Sequence, residues 1–222
     1  MAFNFSPKIV TNGLVLALDA ANTRSYVSGS TVWRDLTANS YSGSLVNGPT
    51  FNSDNGGSIA MDGVDDLILI STLVWQPTKF SVCWFLKPNN TLNYNQNIQG
   101  NSVLPFPSAG WGSFVFHTDS NGSVYVGTDV ATRFSPSNIP NNTVVINTYQ
   151  MFCFTFDSGA ASFYKNNRLL ASKTGMTNPV PWSGFYWSIY GNLPYMQIYN
   201  RALSAAEILQ NYNALKGRFN LT

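Results

Sequence analysis

The sequence predicts an all-β fold: a two-sheet antiparallel sandwich or jelly roll with one short C-terminal helix. Three observations predict it. Short runs rich in β-branched and aromatic residues recur along the whole chain, the composition of pleated, half-buried strands. Clusters of Gly, Asn, Ser, Asp and Pro punctuate them at short intervals, and these residues supply the positive φ or side-chain-to-backbone bonds of turns. Helical periodicity is clear once, near the end of the chain.

The first strand is read at Leu14–Leu18, an unbroken apolar run. Others follow at Ile68–Ile70, Val82–Leu86, Phe114–Phe116, Val124–Val126, Met151–Phe156 and Phe185–Tyr190. Some alternate and some are apolar on both faces, as strands inside packed layers require. Asn47-Gly48-Pro49, Asp54–Gly57, Asp119–Gly122 and Pro136–Asn138 mark turns. Two hairpins stand out: Phe114–Thr118 with Val124–Thr128, and Ser162–Lys165 with Arg168–Lys173 around Asn166-Asn167. Residues 89–107 carry no strand signal and are read as a long loop, a natural place for binding on a rigid sandwich. Ser204-Ala205-Ala206-Glu207 is a capping box with Leu203 and Ile208 at the staple positions. Ile208, Tyr212 and Leu215 share one helical face, and Lys216-Gly217 marks the stop. The helix is expected over 204–216, which gives Glu207 a structural role.

A chain of 222 residues without a linker suits a single domain over 1–222. Twelve basic against ten acidic residues leave a net charge of +2, which argues against an electrostatic nucleic-acid binder. No run of about 18 apolar residues is present, so no membrane span is expected. The start, MAFNFSPKIV, lacks the pattern of a signal peptide, so synthesis in a cytoplasm is expected. Residues 1–10, with Phe3, Phe5 and Pro7, read as an anchoring arm, an edge strand or a plain terminus. Cys83 and Cys153 lie in apolar, aromatic runs and are read as buried free thiols. A disulfide would require their strands to be neighbours.

Three segments together carry a resemblance. The first is Gly13–Asn22 followed by Trp33-Arg34-Asp35-Leu36-Thr37. The second is Leu45–Phe51 with Asp62-Gly63-Val64-Asp65-Asp66. The third is Gln197–Ser204, running through Glu207-Ile208 to Phe219. They resemble the laminin G-like branch of the concanavalin A-like lectin/glucanase superfamily, in the stand-alone form found among virion proteins of tailed phages. The resemblance implies a jelly roll, with least to say about residues 89–148.

Glycoside hydrolysis of the retaining kind needs two carboxyl groups about 5 Å apart. The glucanases of this superfamily carry alternating Glu and Asp on one strand, and no such strand is encoded here. Glu207 is the only glutamate and His117 the only histidine. No enzyme is expected, and a polysaccharide depolymerase is the remote alternative. Asp62, Asp65 and Asp66 could form a Ca²⁺ loop, since hard cations take clustered carboxylate oxygens; they also read as an ordinary turn. Asp35 and Asn39 are a second such pair, with turn capping as the other reading. Otherwise no cofactor is expected. Flat aromatic rings beside amide side chains suit sugars, which singles out Tyr94, Asn95, Gln96, Phe106 and Trp111. The expected function is a non-enzymatic structural protein on the surface of a tailed-phage virion, a capsid decoration or small appendage with capacity for glycans. The alternative is a carbohydrate-binding receptor adhesin at the tail. The expected partners are other virion proteins and host surface glycans, with no nucleic acid or membrane; the symmetry of virions would suit a homo-oligomer.

Overall fold

A computed structural model describes residues 8–75, 77–89, 96–99, 114–118, 123–129 and 131–222, with backbone alone at 96–99 and Ser183. In chain order the strands are β1 (Leu14–Asp19), β2 (Val32–Trp33), β3 (Gly43–Val46), β4 (Thr50–Asn52), β5 (Ser58–Asp62), β6 (Leu67–Trp75) and β7 (Lys79–Pro88). Then come β8 (Gln96–Gln99), β9 (Val115–Thr118), β10 (Val124–Gly127), β11 (Gln150–Asp157), β12 (Ala160–Lys165), β13 (Arg168–Lys173) and β14 (Trp182–Tyr199). Helix α1 (Ala205–Leu215) follows.

The strands form two antiparallel sheets that share β14. Its first half, through Ile189, pairs with β8 and β6 in a front sheet ordered β10-β9-β8-β14-β6-β3-β2. From Tyr190 onward it pairs with β7 on one side and with β5, then β1, on the other. This back sheet continues β7-β11-β12-β13, and β4 pairs with β5. The sequence signal for β14 stopped at Tyr190 because Gly191 and Pro194 look like breakers. Pro194 falls between the segments that pair with β5 and β1, at a register shift against β7, where its missing N–H is not needed. The segment 89–107, expected to be loop throughout, contributes β8. It is a polar strand that exists because β14 and β9 lie on either side of it.

Alternation explains why several strands read as apolar on both faces. On β7, Phe80, Val82, Trp84 and Leu86 enter the core between the sheets, while Cys83 and Phe85 face outward. On β11, Phe152, Phe154 and Phe156 point in, and Met151 and Cys153 point out. The outer face is buried too, because Leu203, Ile208, Tyr212 and Phe219 from the C-terminal segment cover it. Burying each side chain of this size contributes roughly 1.5–3 kcal/mol. Cys83 and Cys153 stand directly opposite in the β7–β11 register and are joined by a disulfide, S–S 2.06 Å. The expectation of two free thiols is thus corrected; which strands are neighbours is a tertiary fact that spacing does not contain.

Helix α1 begins as its capping box dictates. The Glu207 N–H donates to Ser204 Oγ, and the Ser204 N–H donates back to Glu207 Oε2. The helix ends at Leu215, and the chain continues into a 3₁₀ turn, Lys216–Phe219, so Gly217 is not the stop; Asn220 takes the left-handed conformation at φ 54°. Arg201 grips Glu207 with both guanidinium nitrogens, at 2.9 and 2.6 Å, a paired geometry that strengthens the contact. That ion pair, with Ser204, pulls the Glu207 carboxyl from 4.5 to about 2. A lowered carboxylate stabilises the fold above its unfolded value and loses that contribution as pH falls through its folded value. The pair should therefore contribute fully above pH 4.5 and fade toward pH 2. With the two side chains about a quarter exposed, solvent screening limits the loss to about 1–2 kcal/mol. Urea unfolding at stepped pH should show Glu207→Gln flattening this segment of the acid profile; an unchanged profile would reject the assignment.

Arg218 fastens the far end of this segment. It donates to the carbonyls of Asn55 (2.6 Å) and Gly57 and to Asp19 Oδ1 (2.7 Å), while Asn55 Nδ2 donates to the Arg218 carbonyl. Of the anticipated arm over 1–10, residues 1–7 lie outside the described residues. Val10 is buried beneath α1, and the Lys8 carbonyl accepts from Gln210. Among the described residues, no helix is long and apolar enough to cross a membrane.

Candidate functional site

The outer surface of the front sheet carries polar residues on β14, β9 and β10, in register through β8. It follows from alternation. On β9 and β10, Phe116, Val124 and Val126 point into the core, so His117 and Tyr125 between them point out. On β14, Phe185, Trp187 and Ile189 point in, so Tyr186 and Ser188 take the outer side. Register then aligns the strands. Ser188 stands across from Asn97, Ile98 across from Phe116, and His117 across from Tyr125. One step along β8 places Asn97 level with His117, and Gln99 is level with Tyr186. At ordinary strand spacing the row Ser188–Asn97–His117–Tyr125 spans about 14 Å.

The end of the row is pinned. The His117 and Tyr125 rings lie 4.7 Å apart at 31°. The Arg133 guanidinium lies 4.7 Å from the Tyr125 ring centre, a cation–π contact. Arg133 reaches it because the chain after β10 folds back. Val126 and Phe134 exchange backbone hydrogen bonds at 3.2 and 2.8 Å, which seats Phe134 in the core. Gly127 makes that return possible: a Cβ there would stand 2.9 Å from Arg133 Cα. Burial pushes the Tyr186 phenol up to about 12, so it stays a neutral donor. Hydroxyl and imidazole groups beside aromatic rings can bond the hydroxyls of a sugar and cover its apolar face.

Of the residues singled out for sugar, Gln96 opens β8 and so belongs to this sheet, across from Ile189. Tyr94, Asn95, Phe106 and Trp111 lie outside the described residues. His117, Tyr125 and Arg133 were not anticipated as a group. The alternation in Val115–Thr118 and Val124–Gly127 held the signal for the first two; Arg133 needs the tertiary fold-back.

Asp62, Asp65 and Asp66 do come together, with one oxygen from each within 4.8 Å of the others. Asp66 is buried, and burial raises its carboxyl, with the negative neighbours Asp62 and Asp65 adding to the effect. The Asp62 N–H donates to Asp66 Oδ2, and the Val64 N–H donates to Asp62 Oδ1. The remaining carboxylate oxygens are hard donors that fit a cation such as Ca²⁺. Asp35 is placed differently. Its carboxylate accepts from the N–H groups of Ala17, Thr37 and Tyr41 and from Thr37 Oγ1. Asn39 Nδ2 donates to the Val15 carbonyl. Both residues thus bond backbone groups along the open edge of β1 and help cover a sheet edge that would otherwise be exposed.

A family model described as the concanavalin A-like lectin/glucanases superfamily matches residues 62–209. Solved structures match the fold at low identity. The binding domain of botulinum neurotoxin serotype G aligns at 16% identity and TM-score 0.62, over 90% of this chain and 50% of that one. Domain 4 of a GH43 extracellular arabinanase from Geobacillus stearothermophilus, in complex with arabinotriose, aligns at 16% identity and TM-score 0.62, over 90% and 98%. Trypanosoma rangeli sialidase, in complex with 2,3-difluoro-KDN, aligns at 15% identity and TM-score 0.64, over 100% and 36%. The chain spans about half the length of the neurotoxin binding domains it resembles. No curated protein matches the sequence.

Proposed function

This chain belongs to the concanavalin A-like lectin/glucanase superfamily, and from that premise we propose that it is a non-enzymatic carbohydrate-binding module whose binding face is the outer surface of the front sheet. The observation that carries the reading is the line Ser188, His117 and Tyr125, polar and aromatic on the outer side of β14, β9 and β10, whose other side is apolar, with position 97 of β8 in register between them. The arabinanase domain of matching extent, in complex with arabinotriose, supports the ligand class. Glu207 supports the non-enzymatic part: it is committed to Arg201 and the helix cap.

Calorimetric titration with a panel of oligosaccharides tests the proposal. The wild type is expected to bind a member of the panel with a Kd of about 0.1–1 mM. Tyr125→Ala should weaken it about five- to tenfold with Tm preserved. No binding across neutral and acidic glycans, or release of reducing ends on incubation, would reject it. The setting we propose, on the resemblance of the segments around Asp19, Asp65 and Arg201, is the surface of a tailed-phage particle among other virion proteins. Mass spectrometry of purified particles lacking this chain would exclude that setting while leaving the binding reading intact.

A further inference from the structure

A concavity lies away from the polar row, at the seam where β4 of the back sheet meets β2 and β3 of the front sheet. It encloses about 290 Å³ between the turn after Tyr26 and the segment Gly48–Phe51. That is just under the range of ligand pockets, roughly 300–1,000 Å³, and fits a ligand of one ring. Its floor is aromatic: the Phe51 and Tyr26 rings stack at 5.4 Å and 28°. The platform is held rigidly. Tyr26 is buried and its hydroxyl donates to the Ser30 carbonyl at 3.0 Å. Ser30 Oγ is itself committed to the Val32 backbone. Phe51 remains partly accessible, and the exposed hydroxyl residues Ser28, Thr31 and Thr50 stand around the rim.

We propose that this cleft is a separate binding site for one uncharged sugar ring, with the ring's apolar face on Phe51 and its hydroxyls on Thr50, Thr31 and Ser28. A flat apolar floor edged by hydroxyls matches a pyranose or furanose, which has one face of C–H groups and a rim of hydroxyls. The charge around the cleft selects against acidic sugars. None of the described residues lining it is basic. Across the Asn47–Pro49 turn stand the three carboxylates: Asn47 Nδ2 donates to the Asp65 carbonyl at 2.9 Å, and Asp66 Oδ1 lies 3.7 Å from the position a Cβ of Gly48 would take. An anionic sugar at Gly48 would meet that negative charge at short range. For the class of ligand this inference rests on the carbohydrate-binding reading; the site and the selectivity are its own.

The test is a series of ¹H–¹⁵N NMR titrations with methyl glycosides of neutral sugars and with glucuronate, in EDTA so that the carboxylates are bare. Neutral sugars are expected to shift the amides of 26–31, 48, 50 and 51, and glucuronate is expected to leave them unmoved. Phe51→Leu should weaken this response at least about fivefold and Thr50→Val about threefold, with thermal unfolding as the control for each. Thr50 is exposed, so its variant keeps the test alive should Phe51→Leu disturb packing. Tyr125→Ala should leave the cleft response in place. Shifts confined to 115–127 and 186–188 would overturn the cleft and keep the front-sheet face. Shifts confined to the cleft would overturn the face and keep this site. A stronger response to glucuronate at 48–51 would overturn the selectivity, and silence at both places would overturn both.

Discussion

Gly191→Ala is expected to be the most damaging single-methyl change in the molecule. Gly191 sits where β14 leaves the front sheet for the back sheet, at φ +151°. An added Cβ would run into the Lys87 carbonyl oxygen and stand 2.8 Å from Pro88 Cα. Both obstacles are backbone of β7, so neither can swing aside as a side chain would. Backbone strain and overpacking each cost about 1–3 kcal/mol, so the variant should lose about 3–5 kcal/mol. For a chain of this length that is a fall in Tm of roughly 6–20 °C. A loss under about 1 kcal/mol in urea unfolding would show that the two sheets tolerate a looser crossing than the structure draws.

The second large effect is expected at Asn211. Its side chain closes a buried ring of three hydrogen bonds. The Val10 N–H donates to Asn211 Oδ1 at 2.7 Å, Asn211 Nδ2 donates to Tyr199 Oη at 2.9 Å, and the Tyr199 hydroxyl donates to the Val10 carbonyl at 2.9 Å. Asn211 is fully buried, and burial pushes the Tyr199 phenol well up, so it stays a neutral donor. Asn211→Ala strands the Val10 N–H with no partner, and an unsatisfied buried group costs about 1–3 kcal/mol beyond the lost bond. The expected loss is about 2–4 kcal/mol. Tyr199→Phe breaks the same ring at another corner, so the double variant should cost clearly less than the two singles added. Strict additivity would show that the ring does not act as a unit.

Much of the fold was legible because it rests on local rules. The capping box placed α1 within a residue, and the runs Val82–Leu86 and Met151–Phe156 marked the two central strands of the back sheet. What was not legible depends on partners. The polar β8 is a strand only between β14 and β9. The short β2, β3, β4 and β5 have too little apolar surface to announce themselves. Gly191 and Pro194 read as breaks, whereas one permits the crossing and the other falls in a pairing gap. The candidate sites divide the same way. The Asp62–Asp66 cluster was visible as a motif because its members are adjacent in sequence. The row from Ser188 to Tyr125 and the cleft between Tyr26 and Phe51 draw on strands far apart in the chain, and only register brings them together.

The way the outer face of the back sheet is covered has a consequence for biosynthesis. Its lid is made after the strands it covers: Leu203, Ile208, Tyr212 and Phe219 pack on Phe85, Met151 and Tyr195. The ring at Asn211 joins residues 201 apart in sequence. Contacts of such separation form late and slowly. While the ribosome is still translating residues 200–222, the sheet beneath must wait with its aromatic outer surface wet. Nascent chains in that state are the ones that aggregate or recruit chaperones. Docking of α1 and of the turn that carries Phe219 thus sets the moment at which this sheet stops being a hazard at high concentration.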